Sequence, residues 1–90
     1  METIDFYAMF ATQFRVASLQ SLVEQFNKSV GVSGYSLMRS TYNVALVDEF
    51  VKRGIDVSVV RNGKTTSFAH RVALNDKQDK LIIADEEGLS

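Results

Sequence analysis

The side chains best able to do chemistry are thinly spread along this sequence. His70 is the only histidine, and there is no cysteine. The acids that adjoin one another, Asp48-Glu49 and Asp85-Glu86-Glu87, are consecutive rather than spaced to converge. A metal site needs several ligands on one point, and acid–base catalysis needs a base within reach of the group it serves. Neighbouring helical residues do not face one another, so Asp48 and Glu49 read as two separate surface acids. Gly63-Lys64 lacks the upstream glycines of a phosphate loop and sits between β-forming runs, not before a helix. No catalytic, metal or cofactor constellation emerges, and the chain reads as a non-enzymatic binding protein.

The stretch that must position everything else is Ile55 to Leu74. Asn62-Gly63, flanked by Ile-Asp-Val-Ser-Val-Val and Thr-Thr-Ser-Phe-Ala, is a strong hairpin signal, because a tight type I′ turn needs positive φ at both central residues. With Asn62 and Gly63 as the loop, Arg61 faces Lys64 and the pairing runs Val59–Thr66, Val57–Phe68, Ile55–His70. Ile55, Val57, Val59, Phe68 and Val72 then share one face, opposite Asp56, Ser58, Ser67 and Arg71. His70, beside Ile55 at the sheet margin, reads as a partly buried structural residue. The helices upstream must cover the apolar face.

Those helices are legible from periodicity. Tyr7, Phe10, Phe14 and Ala17 form one stripe at helical spacing; Val16, Leu19, Val23, Phe26 and Val30 form a second, rotated around the cylinder. The mismatch predicts two pieces within residues 3–30, with a break near Arg15–Ser18 and a new start at Ser18 or Ser21. Gly31-Val32-Ser33-Gly34 ends the pattern. A further helix starts near Ser36 or Ser40 and stops at Gly54, with Val44, Val47 and Val51, plus Leu46 and Phe50, as its buried stripe. After the polar turn Asn75–Asp79, Lys80–Asp85 reads as a third strand whose register is open. The expected architecture is α+β: two or three N-terminal helices packed on a C-terminal three-stranded antiparallel β-meander. It forms one domain, residues 1–90, with a helical part over 3–54, the meander over 55–84 and a short acidic tail over 85–90.

Ninety residues with 46% hydrophobic and 23% charged content suit a small globular domain. A net charge of −1 gives no overall attraction to nucleic acid or membrane. Residues 36–71 nonetheless carry a local excess of +3. The acidic N-terminus is unlike a secretory leader, no run is long enough to span a bilayer, and the expected location is cytoplasmic.

Phe26-Asn-Lys-Ser-Val-Gly-Val-Ser-Gly-Tyr-Ser-Leu-Met-Arg resembles a bacterial helix-turn-helix. Phe26, Val30, Gly31, Val32, Ser33 and Leu37 stand where that family places its apolar anchors and its turn. With the hairpin as a wing, the resemblance to winged-helix DNA-binding domains covers residues 18–73. The chain departs from the family at Asn27, where a small residue is usual, and at Ser40, where an apolar anchor is usual. The resemblance implies duplex DNA as partner. It places Tyr35, Ser36, Arg39, Ser40 and Asn43 on a recognition helix, Arg61 and Lys64 at the wing tip, and Lys52 and Arg53 on the phosphate backbone. It also implies a dimer, for which the aromatic stripe Phe6, Tyr7, Phe10 and Phe14 offers an interface. The alternative is a protein–protein interaction or homo-oligomeric adaptor module that binds no nucleic acid. On that reading the basic residues are solvated helix ends and turn flanks, and surplus aromatics mark a contact patch.

Overall fold

The computed structural model describes residues 5–30, 36–62 and 65–84. Helix α1 (Phe6–Arg15) begins at Asp5, whose carboxylate accepts the Ala8 N–H at 3.0 Å. After a turn at Val16–Ser18, helix α2 (Leu19–Ser29) begins at Ser18, whose Oγ accepts the Ser21 N–H at 3.0 Å. Helix α3 (Leu37–Lys52) begins at Ser36, whose Oγ accepts the Arg39 N–H at 3.1 Å. Each cap satisfies one of the N–H groups that a helix start leaves open. At the far end of α3, Gly54 takes φ +79, a left-handed turn that a side chain would resist. The expected break between the first two helices is present, with Ser18 as the cap.

The helices enclose one hydrophobic cluster. Phe10 and Phe14 of α1, Leu22 and Phe26 of α2, and Leu46, Val47 and Phe50 of α3 are buried together, with Ile55, Val57, Val60, Val72 and Leu81 from the rest of the chain. α1 packs mainly on α3. Tyr42 meets Phe10 and Phe14 edge-on, with ring centroids 5.2 and 5.1 Å apart. Phe26 stacks on Phe68 at 4.4 Å. The stripe expected for α3 needs correcting. Val44 and Val51 face solvent, while Ala45, Leu46, Val47, Glu49 and Phe50 are turned inward.

The long hairpin does not form. Asp56 accepts the Ser58 N–H at 2.8 Å, and the N–H groups of Val60 and Arg61 both donate to the Val57 carbonyl at 2.9 Å. This aspartate-initiated turn takes residues 57–60 out of extended conformation, because the short acid offers the backbone a local partner in place of a strand. What remains is β1 (Arg61–Asn62) against β2 (Thr65–Thr66), with Arg61 opposite Thr66 and Asn62 opposite Thr65. Asn62 is thus a paired residue rather than a loop residue. Val60 is buried where Val59 was expected, and His70 is exposed rather than placed beside Ile55.

A second antiparallel pair joins β3 (Val72–Leu74) to β4 (Leu81–Ile83), with Leu74 opposite Leu81. Leu81 is the inward residue of β4; Ile82 and Ile83 are exposed. Asp56 makes a single parallel bridge to Lys80 at the start of β4. Among the described residues the fold is therefore α+β with two-stranded antiparallel pairings, not a three-stranded meander. The other rim of β3 is closed by a side chain. The Asn27 amide donates to the Val72 carbonyl at 3.0 Å and accepts the Val72 N–H at 2.8 Å, as a neighbouring strand would. This pair of hydrogen bonds gives Asn27 a structural role at the edge of β3.

Candidate functional site

The residues singled out for DNA contact fall into two groups. Arg53 and Arg61 are used inside the fold. The Arg53 Nε meets Glu49 at 2.8 Å, and its Nη2 donates to the carbonyls of Phe14, Arg15 and Ala17 at 2.9, 3.2 and 2.7 Å. One guanidinium thus caps the end of α1 and neutralises a buried acid of α3. Arg61 Nη2 meets Asp48 Oδ1 at 3.1 Å, and Asp48 Oδ2 accepts the Tyr7 hydroxyl. That hydrogen bond, then burial, lifts the Tyr7 hydroxyl above its usual 10.0. Neither arginine is presented as a wing-tip or backbone contact. Phe10 and Phe14 are interior, so they do not form an exposed dimer stripe with the half-buried Phe6 and Tyr7.

Ser36, Arg39, Ser40 and Asn43 lie on the first half of α3, and Lys52 is exposed at its end. Ser36 serves as the cap and Asn43 Oδ1 accepts from Ser29 Oγ at 3.4 Å. Arg39 lies over the Tyr42 ring, 5.6 Å from guanidinium carbon to centroid, with Nη1 3.4 Å from Ser29 Oγ. Tyr35 and Lys64 lie outside the described residues, as do the turn glycines Gly31, Gly34 and Gly63.

Two features escaped the sequence reading. The first is the solvent face of α3, where Leu37, Val44 and Val51 are 77%, 41% and 48% exposed. They sit seven residues apart, on one line down the helix. Valine at that spacing beside Leu46, Val47 and Phe50 could not be assigned to a face without knowing which side meets α1. The second is a cleft of about 510 Å³ between the end of α2 and the start of α3, whose lining includes Phe10, Tyr42, Lys28 and Arg39. Its residues come from three helices, and no local pattern announces it. Among the described residues no three His, Cys, Asp or Glu side chains gather as a metal site, and no helix is long and apolar enough to cross a membrane. No protein-family model, curated protein or solved structure matches the chain.

Proposed function

We infer that the protein is a small non-enzymatic binding module that works by protein–protein contact through the solvent face of α3. The observation that carries this is the Leu37–Val44–Val51 line. A helix packed on a core by one face ordinarily turns polar residues to water on the other, and here the centre of the outer face is apolar. An apolar line at heptad spacing suits the side of another helix, whose side chains interdigitate at the same repeat. A second copy of the chain supplies such a helix without any other partner.

Sedimentation velocity over a wide concentration range tests the reading. The expected result is concentration-dependent association that disappears in a Leu37→Ser/Val44→Ser/Val51→Ser variant with an unchanged far-UV spectrum. A wild-type chain that stays monomeric throughout and captures no helical partner overturns it.

The winged-helix reading keeps one specific support. Three helices precede a short hairpin, and the first turns of α3 are exposed with Arg39 in no ion pair among the described residues. Duplex binding that weakens with salt and is lost in Arg39→Ala would favour it over protein contact. Its weakness is electrostatic: two of the nine basic or polar candidates, Arg53 and Arg61, are already neutralised by acids of α3.

A further inference from the structure

The cleft beside α3 has the chemistry of a ligand site. Its volume of about 510 Å³ matches a small organic molecule. Phe10, Met38 and Tyr42 give it apolar lining. Gln25, Lys28, Ser29, Ser36 and Arg39 give it polar lining. Each of these five polar side chains can donate a hydrogen bond, and among the described residues no carboxylate lines the cleft. Among the described residues neither Lys28 nor Arg39 is within ion-pair distance of an acid. In a chain of net charge −1, this is a pocket with two cations left to neutralise.

Ser29 adds an independent sign. Its side chain is on the cleft wall and the residue is only 5% exposed. Its Oγ reaches the Gln25 carbonyl, Asn43 Oδ1 and Arg39 Nη1, each at 3.4 Å. A hydroxyl prefers about 2.7–2.8 Å to an oxygen partner. All three are long, so the hydroxyl is held weakly and its hydrogen can turn to a ligand oxygen. The rest of the wall is set firmly. The Tyr42 hydroxyl donates to Gln25 Oε1 at 2.7 Å, which leaves the Gln25 amide NH₂ as a donor. The Tyr42 ring in turn holds the Arg39 guanidinium over its face.

We propose that this cleft binds a small molecule carrying an oxyanion, a carboxylate or phosphate monoester, on a flat apolar ring. The oxyanion lies between Lys28, Arg39 and Ser29 Oγ; the ring lies against Tyr42, Met38 and Phe10. Charge-assisted bonds fix the anion, and the apolar lining selects for the ring. The site is separate from the outer line of α3, since none of Leu37, Val44 or Val51 lines it. It therefore stands or falls apart from the protein-contact reading.

Amide-resolved NMR titration tests the site with three probes: benzoate, phenyl phosphate and inorganic phosphate. Benzoate or phenyl phosphate is expected to shift amides within residues 25–29 and 36–42, and the stronger of the two identifies the anion. Inorganic phosphate, which lacks the ring, is expected to bind ~tenfold more weakly or worse. Arg39→Gln and Lys28→Gln should each weaken the better probe by ~tenfold, while Lys77→Gln, on a distant turn, leaves it unchanged. Amide dispersion retained in each variant shows that the fold is intact. The proposal is overturned if neither ring-bearing probe moves those amides, or if the Lys28→Gln/Arg39→Gln double variant binds as the wild type does.

Discussion

The two halves of α3 are built to different standards. From Ala45 onward the helix is woven into the fold: Leu46, Val47 and Phe50 are fully enclosed, Glu49 is paired, and Arg53 grips the end of α1. Before Ala45 the side chains are exposed or half-exposed, and the polar contacts of Ser29 with Arg39 and Asn43 sit at 3.4 Å. The difference separates what holds the protein together from what it has left to offer a ligand or partner. Function is best sought where packing is slack and polar groups are incompletely matched.

Five single substitutions, one double variant and a pH titration with a Tyr7→Phe control test this contrast and the fold around it, and denaturant unfolding measures each substitution. Phe50→Ala, in the enclosed half, should lose about 3–5 kcal/mol, whereas Leu37→Ala in the open half should stay within about 0.5 kcal/mol. Equal losses at the two sites would erase the distinction. Arg53→Met should cost about 2–3 kcal/mol, because it strands the buried Glu49 and uncaps three carbonyls, reduced by the partial exposure of the pair. The Glu49→Gln/Arg53→Met double variant should recover part of that loss.

Asn27→Ala should cost about 1–3 kcal/mol, since it leaves the Val72 N–H and C=O without their partner. Gln78 holds φ +56 outside either half of α3, in the turn before β4. Gln78→Gly should therefore raise stability by about 0.5–1 kcal/mol. The smallest effects come from pH. Folding favours the protonated Tyr7, so its contribution is complete below pH 10 and is lost as pH rises above it. The Ser58 N–H holds the exposed Asp56 carboxylate below its usual 3.8, so its contribution is present above that pH and is lost on acidification. A Tyr7→Phe variant should lose the alkaline dependence and keep the acidic one.

How much of this was legible depends on how local each cause is. The starts of α2 and α3 follow from Ser18 and Ser36, and the stop follows from Gly54; these signals act within a few residues. The ribbon was misread because β-forming valines at 57, 59 and 60 outweigh a turn signal of only Asp56 and Ser58, and one carboxylate–amide bond decides between them. The solvent face of α3 was misread for a different reason. Apolar residues surround that helix, so periodicity alone cannot say which side meets α1. Asn27 and Val72 lie 45 residues apart, and their pairing has no counterpart in sequence spacing. The cleft is of the same kind, since its walls meet only after three helices have docked.

By lying along β3 as a dummy strand, the Asn27 amide also decides where this protein is open to misassembly. One rim of the small ribbon is sealed by a helix, and the other is bridged by Asp56 at its start alone. Among the described residues of this ribbon, the exposed Ile82-Ile83 end of β4 is open to sideways growth with other chains, and removing one asparagine would open a further edge.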